Sequence, residues 1–469
     1  MCGTHQFMLN CESQFRSIML PLLRWAQERL SPDHDGKRCQ EEDPMKYSHD
    51  TLRFYKSERT FSFIIRGRVG MKDPVDIEAL DAAVNTAITR YPYFAVCVGL
   101  DSDGGYVLSQ NPQRIAVIKK GRRCPKLGSD VVNGHLLFVE CEGSEIDFYI
   151  SHALCGGRGF QPFVMTCIWQ YVVNKYGVTP VAPAIRKPGS ELLPGETDEP
   201  TLQSFPENEP IYRYQSKKPF VLIRDYLNGM FNPFRRKPNY RLYTLCQKDI
   251  ISFVKQNDAS VASFILVVMA KALDRVLPKE AAVIGGEIAH NPSASLGMPN
   301  THCDLLSHVH IDYEREMLQW DMEKLGTMTR GQIILQTDPS VSFAEVRREF
   351  EMLEKLEQVR GLKNKRASVK QWDSSTSKSS HGTYIVNYTG WMDWGEVADY
   401  MASYALVVEG HVLLEVTSMG EKIFVTLMQL IDEKKYADAF QQVLTELGIP
   451  YTVEGPFPKR LTKHALPSR

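Results

Sequence analysis

Between Thr179 and Pro238 the chain carries prolines at 180, 183, 188, 194, 200, 206, 210, 219, 233 and 238. Each proline removes a backbone donor and clashes with a preceding helical turn, so this density forbids a long helix or a central strand. Strand-like and helix-like runs alternate on both sides of it. The stretch therefore reads as a connection between two α/β halves, with one helix, Val221–Met230, embedded in it. A chain of 469 residues has room for two or three domains at ~150 residues each. The division this predicts is an N-terminal extension (1–50), a first lobe (51–180), the connection (181–238), a second lobe (239–455) and a tail (456–469).

In the first half, Phe61–Val69 is rich in β-branched and aromatic residues and reads as a strand. Apolar positions 77, 80, 84 and 88 then recur at helical spacing behind Asp76, a suitable N-cap. The pair Tyr91-Pro92 ends that helix, because a residue before proline is pushed out of helical geometry. Strands are expected at Phe94–Leu100, Leu136–Glu140 and Ile146–Ser151, and a helix at Phe160–Tyr176. The second half predicts strands at Tyr240–Cys246, Val283–Ile288, Leu305–Asp312, Thr383–Asn387, Leu406–Glu409, Val412–Ser418 and Ile423–Leu430. Its expected helices are Asp249–Asn257, Val261–Val276, Glu314–Ile334, Phe343–Leu362 and Tyr436–Leu447, with Lys363–His381 left as a polar segment. Ahead of all this, Gln14–Leu30 has a helical pattern that runs into the polar stretch Ser31–Asp50.

Charge and cysteine usage narrow the function classes. Lys plus Arg total 55 against 56 for Asp plus Glu, a net charge of -1. A general nucleic-acid binder needs a basic surface to displace counterions from phosphates, so that class is set aside. The ten cysteines contain no C-x-x-C pair, which together with the missing secretory leader predicts reduced thiols and a cytoplasmic location. The run Ile18–Leu23 is too short for a leader's apolar core, and Phe264–Ala270 has helix-core length, so no membrane span is expected.

The segment richest in chemistry is Ile146-Asp-Phe-Tyr-Ile-Ser-His152-Ala-Leu-Cys-Gly156-Gly157-Arg-Gly159-Phe-Gln-Pro162. An apolar strand ends in a histidine, passes through glycines and opens a helix. This places an imidazole at a strand end, in a loop whose glycines let a substrate come close to the backbone, beside the unpaired N–H groups of a helix start. A histidine so placed has a pKa suited to taking a proton from an alcohol or amine. A buried, hydrogen-bonded core histidine is the competing reading. A dinucleotide fingerprint fails, since Pro162 stands where its third glycine is needed. Cys155 beside His152 lacks a third group to orient a nucleophilic pair.

This strand–His152–Gly–helix pattern is similar to the His-x-x-x-Asp-Gly signature of the chloramphenicol acetyltransferase-like superfamily, which includes condensation domains and alcohol acetyltransferases. Order supports the match. Pro74–Val84 with Arg90-Tyr91-Pro92 resembles the family's first helix and its exit; Ser260–Leu273 resembles the buried helix of the second lobe; Tyr384-Ile-Val-Asn387-Tyr-Thr-Gly390 resembles its Asn-containing strand end. The resemblance covers roughly residues 51–455 and is closer to the alcohol acetyltransferase branch. It implies an α/β fold of two lobes, each a mixed sheet flanked by helices, with a tunnel between them. It also implies an acyltransferase moving an acyl group from a CoA or carrier-protein thioester to a hydroxyl or amine, with His152 as general base and Gly157 able to offer an N–H to the oxyanion. Gly156, Asn387, His308 and His310 become substrate-binding candidates. No bound cofactor is expected, the thioester being a co-substrate, and any carrier protein acts in trans.

Two positions depart from the family pattern. The motif's aspartate falls on Gly156, and the arginine that usually pairs with it from the second lobe is missing from Ile288-Ala-His-Asn-Pro292. Losing one partner alone would leave a buried charge at a cost of roughly 3–5 kcal/mol, so the pair reads as replaced as a unit. The first histidine of the family's doublet is Ser151. Gly156 favours an alternative, a catalytically degenerate relative binding a ligand or partner in the tunnel. A metal site from His302, Cys303, Asp304, His308 and His310 is a further alternative, since residues two apart on a strand share a face; the expectation is no metal.

Overall fold

The computed structural model describes residues 49–57, 62–207, 210–232, 234, 236–376, 382–460 and 462–467. The helical run Gln14–Leu30 and nearly all of the extension 1–50 lie outside the described residues. The described residues belong to one compact unit, Glu41–Arg469.

The first half builds α1 (Leu52–Lys56), β1 (Ile64–Met71), α2 (Ile77–Ala87), β2 (Val96–Leu100), β3 (Tyr106–Gln110), β4 (Val117–Lys119), β5 (Leu137–Glu142), β6 (Glu145–Ser151) and α3 (Gly157–Tyr176). Asp76 caps α2 as its sequence predicts, accepting from the N–H groups of Glu78 and Ala79 at 3.0 and 3.1 Å. Helices α2 and α3 pack on each other over the first sheet, and Leu80, Val84, Phe163 and Ile168 belong to their shared core. Among its described residues the Pro-rich connection is irregular apart from one short turn, α4 (Ile223–Phe231) and residues 236–238, which open the next strand.

The second half runs β7 (Arg236–Cys246), α5 (Gln247–Gln256), α6 (Val261–Val276), β8 (Val283–His290), β9 (Ser307–Glu314), α7 (Met322–Gln336), α8 (Pro339–Glu357), α9 (Leu362–Thr376), β10 (Tyr384–Tyr388), β11 (Met401–Val407), β12 (Leu413–Met419), β13 (Lys422–Ile431), α10 (Lys434–Glu446) and β14 (Tyr451–Pro458). Helix α6 is apolar nearly all round and is buried between the second sheet and α10. A helix of that composition has no face to offer water.

Two sheets carry the two lobes. The first has the order β11-β1-β6-β5-β4, the second β14-β7-β13-β12-β10-β8-β9, and β2-β3 is a separate hairpin. Strand β11 thus comes from the second half of the chain but pairs antiparallel with β1 in the first sheet. The tail makes the same crossing. The backbone of Leu127 accepts from Ala465 and donates to Lys463, tying residues past β14 to the first lobe.

Several expectations needed correcting. The polar segment after Lys363 is largely helix α9, because Leu362 and Val369, seven apart, reach the core beneath a surface of charges. The helix expected from Glu314 begins only at Met322, where Asp321 caps it; Glu314 itself ends β9. Strands β3, β4 and β14 were not anticipated, being short or, in β14, mostly exposed. Cys124, Cys141, Cys155, Cys167, Cys246 and Cys303 are free thiols, but Cys97 is disulfide-bonded, so the expectation of reduced thiols does not hold there. No described helix is long and apolar enough to cross a membrane.

Candidate active site

Strand β6 ends by delivering Ser151 and His152 to the lobe junction. The pairing Ile64↔Ser151 fixes its register, and the His152 N–H donates to the Phe63 carbonyl at 2.7 Å. The chain then turns through Ala153–Gly156 into α3, whose N-cap is Gly156. A helix start leaves its first N–H groups without intrahelical partners, so those of Gly157 and Arg158 point out of the helix end.

The loop between β8 and β9 packs onto this turn. Its anchor is Glu196 in the Pro-rich connection, whose carbonyl accepts from the His302 N–H (3.1 Å) and ring Nδ1 (2.9 Å). The Glu196 carboxylate is itself held by Arg90 (2.9 and 2.8 Å), Tyr93 (2.6 Å) and the Leu193 N–H (2.8 Å). Burial alone would raise its pKa, but these donors outweigh that and hold it down at about 2. The loop sits so close that two of the motif's glycines are needed for it. A Cβ on Gly159 would lie 2.4 Å from the His302 carbonyl oxygen, and one on Gly156 would lie 2.0 Å from Oδ1 of Asp304. At Gly157 an added Cβ would meet only Leu406 at 3.8 Å.

Asp304 therefore fills the place that a side chain on residue 156 would take. Its Oδ2 is 3.3 Å from His152 Nδ1, within ion-pair reach though off the hydrogen-bond axis, and pairs with Arg53 Nη2. Arg53 Nη1 donates to Asp50 Oδ1 at 2.8 Å, and Asp50 Oδ2 accepts the Asp304 N–H at 3.0 Å. Asp50, Arg53 and Asp304 are all buried. In this buried pair the guanidinium comes from α1 and the carboxylate from the second lobe.

His152 retains 24% side-chain exposure, so one side of the ring is open. Burial lowers its pKa, against a smaller opposing pull from Asp304, and the imidazole rests neutral. Nδ1 makes no hydrogen bond, but the Asp304 carboxylate 3.3 Å away favours the proton there electrostatically, which leaves Nε2 as the basic atom. Cys155 is fully buried, and burial pushes its thiol well above the ordinary range. A thiolate nucleophile beside His152 is not supported. At the doublet's first position Ser151 receives an imidazole from elsewhere: its Oγ lies 2.7 Å from His464 Nε2.

The remaining candidates separate. His308 and His310 do share a face of β9, with ring centroids 6.2 Å apart, and both flank Glu287 on β8. His308 Nδ1 lies 2.7 Å from Glu345 on α8. Burial opposes its charge, but Glu345 and Glu287 outweigh burial and hold its pKa up at about 9. Glu349, one turn along α8, accepts from Lys56 at 3.2 Å. Asn387 belongs to a different group: its Nδ2 donates to Glu415 at 2.7 Å, and burial raises Glu415 to about 7. His302 lies tilted against Tyr93 with ring centroids 4.3 Å apart, and Cys303 faces the Asp198 carbonyl, so the residues of the metal alternative have separate partners. Among the described residues no group of three or more His, Cys, Asp or Glu is arranged to hold a metal ion.

Sequence reading missed Asp50, Arg53, Glu196 and His464 as parts of this site. The i,i+3 spacing of Asp50 and Arg53 was the one local signal; His464 is over three hundred residues from Ser151 and had none.

No family model and no curated protein matches this chain by sequence. Solved structures do match. TRI101 of F. graminearum, in complex with coenzyme A and T-2 mycotoxin, superposes with a TM-score of 0.56 at 10% identity, covering 87% of this chain and 100% of its own. TRI3, the trichothecene 15-O-acetyltransferase of Fusarium sporotrichioides, gives 0.50 at 11% identity over 85% of this chain and 93% of its own. The first condensation domain of the CDA synthetase gives 0.50 at 10% identity over 85% and 94%.

Proposed function

With the two-lobed chloramphenicol acetyltransferase-like fold as premise, we propose that this chain is an acyltransferase that moves an acyl group from a CoA or carrier-protein thioester to a hydroxyl or amine. The observation that carries the reading is His152: neutral, open on one side, at the lobe junction, with the Asp304 carboxylate 3.3 Å from Nδ1. Its Nε2 takes the proton from the acceptor as the acceptor's oxygen or nitrogen attacks the thioester carbonyl. The oxyanion of the tetrahedral intermediate is met by the N–H of Gly157 at the start of α3, and such a donor typically contributes about 3 kcal/mol. Collapse breaks the C–S bond, and the imidazolium returns its proton to the departing thiolate. No covalent enzyme intermediate is needed; holding both substrates together supplies much of the acceleration.

Asn387, His308 and His310 are assigned to acceptor binding in this reading. Gly156 favours a non-catalytic binding protein; the Asp304 carboxylate in the space beside it supports the transferase reading instead. The test is thiol release from short, medium and long acyl-CoAs, with and without a small-metabolite extract, comparing wild type with His152→Ala. Extract-dependent release lost in the variant, with an acylated product by mass spectrometry, is expected. Equal release from both proteins would remove His152 from the reaction; no release with any CoA or carrier-protein donor would overturn the transferase.

A further inference from the structure

The position of the Asp304 carboxylate has a purpose beyond filling space. Asp50, Arg53 and Asp304 are buried together and carry one positive and two negative charges, with Oδ2 of Asp304 the atom nearest the His152 ring at 3.3 Å. The Asp304 carboxylate faces Nδ1. It is therefore complemented when the imidazole gains a proton and becomes a cation. Among the described residues, titratable groups bearing on this cluster include Glu349, paired with Lys56 at 3.2 Å, the His302 imidazole, whose pKa burial lowers, and the buried thiols Cys155 and Cys303, both kept protonated by burial.

We propose that Asp304 is the positioning residue of His152, delivered by the second lobe to the point that residue 156 would otherwise occupy, with Arg53 locking the carboxylate and Asp50 locking both. Asp304 fixes the tautomer with Nε2 free and stabilises the imidazolium formed during the reaction; Arg53 prevents the carboxylate from swinging away into solvent. The ring is thus correctly oriented only when segments 50–53, 152–156 and 301–304 meet. Because a Cβ on residue 156 would fall 2.0 Å from Asp304 Oδ1, positions 156 and 304 address the same point in space. A carboxylate moved from one to the other should do the same work.

This inference rests on His152 being the base, but its test does not need the substrate. The His152 ring is followed by NMR titration of the full chain, its signal assigned by loss in His152→Gln. Asp304→Asn keeps the shape and removes the charge; it should lower the His152 pKa by about one unit and change the balance of ring tautomers. Gly156→Ala alone should displace Asp304 and shift the same signal. The double variant Gly156→Asp with Asp304→Gly should restore the wild-type pKa and tautomer, and keeps Arg53 paired even if Asp304→Asn fails to fold. A His152 titration unmoved by Asp304→Asn would overturn the proposal. So would a double variant that does not fold, or that folds without restoring the titration. Where acyl transfer is measurable, Asp304→Asn should lower kcat by about tenfold or more with little change in KM, because orientation acts on the transition state. Absence of transfer in every variant, with the titrations as expected, would refute the transferase reading and leave the positioning role standing.

Discussion

Replacing Glu196 by glutamine tests whether the Pro-rich connection is a structural keystone or a passive linker. Glu196 is 1% exposed, so solvent screening does little to its interactions. Its pKa, held at about 2 against an ordinary 4.5, corresponds to about 3 kcal/mol of stability at neutral pH. The compact unit unfolds with an entropy of about 0.9 kcal/mol/K if it follows the usual per-residue average, so Glu196→Gln should lower Tm by about 3–4 °C at pH 7. The sign with pH follows from the lowered pKa: the contribution is present above about 4.5 and lost as pH falls toward 2. By pH 3.5 the gap between wild type and variant should have narrowed by about 1.4 kcal/mol. Thermal scans by circular dichroism at a fixed rate, at pH 7 and pH 3.5, read both effects. A Tm within about 1 °C of wild type at pH 7 would refute the reasoning, as would a gap that does not narrow in acid. The consequence reaches the site, since the carbonyl of Glu196 holds His302, two residues before Asp304.

The glycines of the motif should differ sharply in their tolerance of a methyl group. Gly159→Ala drives a Cβ into the His302 carbonyl and should cost about 3 kcal/mol or abolish folding, whereas Gly157→Ala, with only Leu406 at 3.8 Å, should melt within about 1 °C of wild type. Equal melting temperatures would show that the β8–β9 loop does not pack as described. Glu415 works in the opposite direction from Glu196. Burial raises it to about 7, so ionisation is resisted in the fold and stability falls as pH rises from about 4.5 through 7. Glu415→Gln keeps the partner Asn387 and should flatten that fall, with a higher Tm than wild type at pH 8; a variant less stable at pH 8 than at pH 5 by the wild-type margin would contradict this.

Much of the fold was legible because its elements are locally consistent. Helix α6 was bounded correctly by its apolar run, and the start of α2 by the Asp76 cap. The errors fell where tertiary packing decides. Strand β11 looks like its neighbours in sequence, and nothing local says that it crosses to the other sheet. Helix α9 buries a stripe too narrow for its composition to reveal. At the site, His152 was readable because a strand–His–Gly–helix pattern is local. The carboxylate beside it was not, since Asp304 reaches the ring from 152 residues away along the chain, and only the missing side chain at Gly156 hinted that something else had to be there.

The exchange of β11 also bears on how the protein is made. Until Met401–Val407 emerges from the ribosome, β1 has β6 on one side and a bare row of N–H and C=O groups on the other. About 336 residues separate the ends of β1 and β11, a wait of roughly 17–70 s at translation speeds of ~5–20 residues per second. An open edge of that kind is a template for pairing with other chains. The nascent first lobe thus has to be shielded for most of its synthesis, and a fragment ending before Met401 should aggregate where the whole chain does not.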